Sequence, residues 1–540
     1  MIMAKKAKKT EKKTNGISDF IKELWQAAVN LRGSIEPADY KRYVLPLIFL
    51  RFLSIRFEKR RVELKNQIQD EQSPYFTKDQ QTAEQIITDP DEYRSVGAFM
   101  IPEIATWEYI RSHAQDDDIK VKLDDALEGL EKAYPDKLRG LLPRIYAGSN
   151  LDAENVRGLI NLFSKDIFKE THNGADLIGR VYEYFIGEFA SSEGKRGGEY
   201  FTPESIVKCL VHMLEPEEGI VMDPCCGSGG MFVQSDIFTR HNRRLSFVGQ
   251  ESKDFTYRLC KMNLFMHGLD GQIELGNSYI DDKLDTVKAD YLLANPPFND
   301  GSKGENGWGA DRVPKKDPRL KLGNDYMPLA PRNANTMWIL HFLYHLKEDG
   351  TAGFVMATGE LSNSETARLT VRQQLVDLDC VDCIVQLTGQ LFANTQIPCC
   401  LWFLSRNRDG KNGFRKRTGE ILFIDGRKLG TLIPGSRKQK ELSPEELEKM
   451  ASVYREYKRE AKPEDVPGFC KVATVDEIRE HNYALTPGRY VGAEEVVDEG
   501  EPFEEKFPKL VAQLKKQFDR SRQVQEKIES SIEKLNNDAG

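Results

Sequence analysis

Apolar residues recur along this chain with two different periods, and the change between them divides it. In Phe20 to Leu64, the positions Leu24, Trp25, Ala28 and Leu31, then Tyr40, Tyr43, Val44, Ile48, Phe52 and Phe57, fall at roughly helical spacing, as on the buried side of α-helices. Leu123, Leu127, Leu130, Leu138, Leu141 and Leu142 extend the pattern, and Gly and Pro stay sparse to about residue 165. An all-helical N-terminal domain over 18–165 is therefore expected, after a Lys-rich, disordered tail over 1–17. Ile178, Val181, Tyr182, Phe185 and Phe189 predict one more helix, ending near Ser191. A Gly-rich loop, Gly194 to Pro203, follows it, and the next helix, Ile206 to Leu214, has Thr202 as its expected N-cap and Pro203 at its first position.

From Gly219 the pattern becomes short apolar runs separated by helices. The runs are Gly219–Met222, Phe247–Glu251, Ile273–Leu275, Tyr291–Ala294, Phe354–Met356, Cys383–Val385 and Leu401–Phe403. Strands alternating with helices predict an α/β fold built on a doubly wound, mostly parallel sheet, here over 166–490. Such sheets bind ligands at the carboxyl ends of their strands. After Leu404 the chain turns polar, and Glu441 to Arg459 reads as a surface helix. In the tail, 491–540, Val511, Leu514, Phe518, Ser521, Gln525, Ile528, Ile532 and Leu535 occupy a and d positions of a heptad, with charges between them. A helix this polar cannot bury its stripe alone and should pack on another helix, either a partner's or one of the N-terminal domain.

Length and composition narrow the class. A chain of 540 residues is too long for one core. It carries no apolar run near the ~20 residues of a membrane span and no secretory h-region at its start, so a cytoplasmic, non-membrane protein is expected. Nine cysteines include the pairs Cys225-Cys226 and Cys399-Cys400 and a single CxxC at Cys380 and Cys383; no second pair completes a zinc site, and no metal is expected. The net charge of −8 argues against a chain that grips nucleic acid unaided. Its basic clusters, Lys315, Lys316, Arg319 and Lys321, Arg415 to Arg417, and Arg437, Lys438 and Lys440, read first as solvated loops. The stretch from Asp300 to Arg332, poor in apolar residues, reads as a disordered or DNA-contacting loop.

Two strand ends carry candidate chemistry. Asp223-Pro224-Cys225-Cys226-Gly227-Ser228-Gly229 has glycines for close backbone approach and a helix start behind them. No Lys follows the glycines, and Asp223 would repel phosphate, so any ligand is a nucleoside without phosphates and cationic. S-adenosyl-L-methionine fits that description, with Glu251 placed for a ribose diol; a ligand-free turn is the alternative. Asn295-Pro296-Pro297-Phe298 closes the Tyr291–Ala294 run. The Asn295 side-chain oxygen and the Pro296 carbonyl could each accept one N–H of an exocyclic amine, turning its lone pair toward an electrophile, with Phe298 stacking on the base. The prolines set the loop in advance. An ordinary Pro-rich turn remains the other reading of these four residues.

With the Asp223 loop first and Asn295 to Phe298 about seventy residues later, the sequence resembles the amino-group DNA methyltransferases that make N6-methyladenine. It is most similar to the methylation subunit of type I restriction-modification systems, through Leu24-Trp25, Leu31-Arg32-Gly33, Tyr40 to Leu53, Asp176 to Phe185, Gly197 to Pro203, Asp223 to Gly230, Asn295 to Phe298, Gly389 to Thr395, and Arg489-Tyr490-Val491. The resemblance implies the S-adenosylmethionine-dependent methyltransferase fold. It places Tyr200, Phe201, Thr202 and Pro203 beside the cofactor, with Asp223, Gly227, Ser228 and Gly229 in its loop, Glu251 on the ribose, and Asn277 and Ser278 near the adenine ring. Many relatives have Asp where Asn277 stands. Asn295, Pro296, Pro297 and Phe298 match the catalytic motif, and Phe392 a second aromatic flanking a flipped base. The partners implied are duplex DNA, a specificity subunit whose paired helices meet the tail, a second copy of this chain, and a motor/nuclease restriction subunit. Two other functions share parts of the pattern: methylation of RNA or of a protein glutamine, and a non-catalytic DNA-binding or assembly subunit.

Overall fold

The computed structural model describes residues 19–33, 35–165, 174–192, 202–241, 244–301, 307–392, 395–433, 436, 438–493 and 503–538. The chain forms two units, Met1–Gly492 and Ala493–Gly540. The basic tail expected to be disordered, the loop residues Tyr200 and Phe201, and Arg437 lie outside the described residues.

Among the described residues, no strand precedes Gly219. After a helix over 19–30 come α1 (Pro37–Gln69), α2 (Ile119–Ala133), α3 (Ala153–Phe163) and α4 (Gly174–Ser192), joined by shorter helical turns. Leu45, Leu47, Ile48, Phe49, Leu50 and Leu53 of α1 are all buried. A helix apolar on every side belongs inside a bundle, and its neighbours surround it. Trp25 meets Phe185 and Phe189 of α4 edge-on, with ring centroids 5.0 and 4.7 Å away.

Next come α5 (Glu204–Leu214), β1 (Gly219–Asp223), α6 (Gly230–Phe238), β2 (Leu245–Glu251), α7 (Asp254–Met266), β3 (Gly271–Leu275) and β4 (Ala289–Ala294). They are followed by α8 (Asn335–His345), β5 (Leu346–Ala357), α9 (Thr366–Asp377), β6 (Val381–Leu387), β7 (Cys399–Ser405), β8 (Glu420–Gly426), α10 (Pro444–Arg459) and β9 (Cys470–Thr474). The strands form one sheet in the order β3-β2-β1-β4-β5-β7-β6-β8-β9. β7 runs antiparallel between β5 and β6, β9 is antiparallel to β8, and the other pairs are parallel. Strand order reverses between β1 and β4, where crevices open in sheets of this kind. Alternate residues serve opposite faces: Val221, Leu293 and Val355 point into the core beneath α5 and α10, and Met222, Leu292 and Phe354 into the core beneath α8 and α9. The helical region is not separate from this sheet. Leu259, Met262, Phe265 and Met266 of α7 belong to its core, and Phe265 stacks on Phe99 at 4.0 Å.

Several expectations are corrected. The stretch 307–332 is packed: Trp308, Val313, Leu320, Leu322 and Met327 are buried against the sheet domain. Its few apolar residues are spaced to reach one neighbouring core, so low apolar content did not mean disorder. Arg319, taken for part of a solvated cluster, is buried with Asp317, and Arg417 is buried with its Nε 3.0 Å from Asp382 Oδ1. The polar stretch after Leu404 holds β8 and β9. The surface helix over 441–459 starts at Pro444 and buries Leu447, Met450, Ala451, Tyr454 and Tyr457 on the sheet. Thr202 does not cap α5; that helix starts one residue later, with Pro203 as N-cap and no side-chain cap.

The second unit is described by itself. It contains α11 (Phe503–Asp538), a helix of 36 residues. Phe507, Leu510, Leu514, Phe518, Val524 and Ile528 along it are each about half exposed.

Candidate functional site

β1 and β2 lie side by side in parallel, with Asp223 opposite Gly249, so their carboxyl ends bring the Asp223 loop against Glu251. Gly227 and Gly229 have φ of +55° and +80°, where a side chain would be strained. A Cβ added at Gly227 or Gly230 would meet nothing within 4 Å, so both border open space. Glu251 closes the loop from the other strand: Oε2 accepts from the Gly227 backbone N–H at 3.1 Å and Oε1 from that of Lys253 at 2.8 Å. Oε1 also accepts from the Ser252 hydroxyl at 3.3 Å, and an acceptor-only carboxylate at a strand end is the type of group that a ribose diol bonds. Asp223 is buried. Burial raises its pKa to about 7, with the Glu251 carboxylate adding to the rise and the Cys225 backbone N–H, 3.0 Å away, opposing it. A buried carboxyl of this kind is ready to meet a cation.

β4 delivers the second loop on the other side of the switch point. Val221 and Met222 of β1 pair with Tyr291 and Leu292 of β4, which sets Asn295 beside the Asp223 loop. The two loops touch: burial pushes the Cys225 thiol far above its ordinary range, and the Asn295 backbone is the contact that opposes the shift. Asn295 donates Nδ2–H to Thr202 Oγ1 at 2.8 Å, which fixes its carboxamide and turns the acceptor Oδ1 the other way. Thr202, read as a helix cap, thus joins the approach to α5 to the Asn295 loop instead. Pro296 is buried, Pro297 and Phe298 partly so. Phe392, buried after β6, meets Phe298 edge-to-face at 6.1 Å and 88°. Two aromatic rings at right angles therefore meet at the end of the Asn295 loop.

The loop is also held at its exit. Asn299 has φ +53°, and its N–H and Oδ1 bond the side chain of Asn335, the first residue of α8, at 2.9 and 3.0 Å. Asn335 in turn donates to Glu360 at 3.0 Å. After β3, Asn277 Oδ1 accepts from the Tyr279 N–H at 3.3 Å, while the buried Ser278 hydroxyl donates to the Pro224 carbonyl. The Ser278 side chain is therefore spent on the Asp223 loop, and its carbonyl accepts from the buried Arg319 at 2.7 Å. Sequence reasoning missed Asn335, Glu360, Arg319, Asp317, Asp282, His341 and His345 around this site. Their one local signal was the i, i+4 spacing of His341 and His345. Asp282, His341 and His345 bring three ligand-type atoms within 4.8 Å of one another, and the Arg319 guanidinium supplies the positive charge there, 3.3 Å from His341 Nδ1 and 3.8 Å from Asp282 Oδ2.

A 3-2-1-4-5-7-6 sheet order with an antiparallel seventh strand, an acidic Gly-rich loop after the first strand and an Asn-Pro-Pro-Phe loop after the fourth define a methyltransferase of the amino-group kind. The comparisons agree. The profile of N-6 DNA Methylase matches residues 173–499 and that of the HsdM N-terminal domain residues 21–181. The chain belongs to the N-6 DNA methylase family and, within it, to the methylase subunits of type I restriction enzymes. It is 40% identical over 524 residues to the type I restriction enzyme MjaIX methylase subunit of Methanocaldococcus jannaschii, spanning 96% of this chain and 91% of that one. It is 39% identical over 425 residues to the HindI methylase subunit of Haemophilus influenzae, spanning 76% and 91%. Its fold matches the type I restriction-modification methyltransferase subunit of Streptococcus thermophilus with a TM-score of 0.69 at 23% identity, over 88% of this chain and 99% of that one. Among the described residues no helix is long and apolar enough to cross a membrane.

Proposed function

We propose that this chain transfers a methyl group from S-adenosylmethionine to N6 of an adenine flipped out of duplex DNA, as the modification subunit of a type I complex. The observation that carries the reading is the meeting of two loops across the switch point, with Asn295 tied to Thr202 on one side and the Asp223–Glu251 cradle on the other. The donor set fits the cofactor: two carboxylates, an open glycine cradle and no Lys or Arg following the glycines favour a cationic nucleoside over a phosphate. When bound, S-adenosylmethionine supplies an electrophilic methyl group on a sulfonium. Gly227 and Gly230 leave room for it, with Gly229 setting the turn between them, Glu251 holds its ribose, Asp223 faces its cationic part, and Asn277 and the Ser278 backbone border its adenine.

Adenine N6 lies inside the stack of a duplex, so the base has to leave it to be reached. Asn295 Oδ1 and the Pro296 carbonyl accept the two amine hydrogens and orient the lone pair, while Phe298 stacks on the base and Phe392, packed edge-to-face on Phe298, backs that ring. After transfer the amine sheds one proton to bulk water, leaving a neutral N6-methylamine. Residues 18–165, 166–490 and 491–540 are taken as an N-terminal helical domain, the catalytic domain and a partner-binding tail. A chain of net charge −8 fits an enzyme that leaves base readout to a specificity subunit and works with a second copy of itself and a restriction subunit.

The test is transfer of labelled methyl from S-adenosylmethionine to DNA, with and without a co-expressed specificity subunit. Activity is expected only with the partner, and N6-methyladenine is the expected product. Asn295→Ala should lower kcat by about 10²–10³, the scale of losing a preorganised transition-state contact. Full activity in that variant would overturn the mechanism, and methylated RNA or protein without methylated DNA would overturn the substrate.

A further inference from the structure

Arg319 uses every donor it has. Nε and Nη2 grip Asp317 at 2.9 and 2.8 Å, Nη1 donates to the Ser278 carbonyl at 2.7 Å and lies 3.3 Å from His341 Nδ1, and Nη2 donates to the Tyr279 carbonyl at 3.1 Å. A guanidinium has five N–H groups, and this environment accounts for all of them. The side chain is buried, so it is not a reader of DNA phosphates. Two successive carbonyls held by one planar fork cannot rotate independently, which sets the peptide planes just after Asn277. Ser278 passes the restraint on, since its hydroxyl donates to Pro224 in the Asp223 loop. Tyr279 passes it the other way: its hydroxyl bonds Asp300, two residues beyond Phe298, and its ring meets Trp308 at 5.4 Å.

We propose that Arg319 is a positioning residue for the cofactor's adenine pocket, and that it ties this pocket to the segment following the Asn295 loop. The inference rests on the S-adenosylmethionine reading above. Lysine keeps the charge but has three donors on a single nitrogen, and it cannot hold Asp317 and two carbonyls in one plane.

The test measures binding of S-adenosylhomocysteine and S-inosylhomocysteine, in which a carbonyl replaces the 6-amino group, to the full-length chain by calorimetry, beside its thermal melting. The wild type should prefer the adenosyl ligand. Arg319→Lys should melt as a folded protein, bind the adenosyl ligand about tenfold more weakly, the worth of one or two net hydrogen bonds, and lose most of the preference. Unchanged affinity and preference would overturn the proposal, and so would equal weakening of both ligands, which marks a purely structural arginine. If Arg319→Lys does not fold, Asp317→Asn, which loosens one end of the fork and leaves the arginine in place, is read against the same outcomes. A wild-type chain that binds neither ligand would instead overturn the cofactor reading itself.

Discussion

Asp223 is the residue whose chemistry is most sensitive to its surroundings. Its carboxyl is held near pH 7 by burial and by the neighbouring Glu251, whereas in an unfolded chain it titrates near 3.9. Between those values the unfolded chain binds fewer protons than the folded one, so the stabilisation from neutral Asp223 is full below about pH 4 and is lost as pH rises through about 7. A cationic ligand reverses the preference, because it favours the carboxylate. Affinity for S-adenosylmethionine is therefore expected to rise from pH 6 to pH 8, with proton release on binding at the lower pH, measurable by calorimetry in buffers of different ionisation enthalpy. Asp223→Asn should flatten the pH dependence of stability across this range and weaken cofactor binding. A pH-independent affinity in the wild type would contradict the role given to Asp223.

At the scale of elements, α8 and the turn before it secure the exit of the Asn295 loop: Asn335 bonds Asn299 twice, Asn333 Nδ2 donates to Asn299 Oδ1 at 3.0 Å and the Ala334 N–H to the Asp300 carbonyl at 3.0 Å. Asn335→Ala removes the partner of the Asn299 N–H and one donor to Glu360 in a buried setting. A loss of about 1–3 kcal/mol in chemical denaturation is expected, together with a lower kcat, since the loop's preset geometry relaxes; unchanged kcat would separate the exit from the chemistry. No local pattern announces this contact. Asn299 and Asn335 stand on either side of a segment whose fold depends on Trp308 and Met327 reaching a distant core. What was legible was whatever the chain writes locally: the switch in period at Gly219, the strand ends at Asp223, Glu251 and Ala294, and helical faces such as Ile178 to Phe189. What was not legible depends on partners far apart in sequence. Arg319 and Arg417 look like surface cations until Asp317 and Asp382 are seen closing on them, and β8 is hidden because Ile421 to Ile424 sits among charged neighbours. The antiparallel β7 has the same apolar run as a parallel strand, so its direction is set by pairing alone.

At the scale of the whole molecule the chain divides into two units. Met1–Gly492 has cores on both faces of its sheet and in its helical region. α11 belongs to the other unit and carries Phe507, Leu514, Phe518 and Ile528 at intervals that keep to one side of a helix, each about half exposed. Burying four such side chains against a partner is worth up to several kcal/mol, at about 1.5–3 kcal/mol for each one fully buried, which is enough to decide assembly. The heptad spacing favours a helical partner, and Ser521 and Gln525 within the stripe limit the choice of register. Deleting Val511 to Gly540 should leave the melting of the remaining chain and its affinity for S-adenosylhomocysteine near wild type, because the cofactor cradle is built from 202–299. Co-purification with a specificity subunit should fall at least tenfold, and DNA methylation with it. Unchanged assembly after the deletion would remove the partner-binding role from α11, and lost cofactor binding would show that the tail supports the catalytic unit instead.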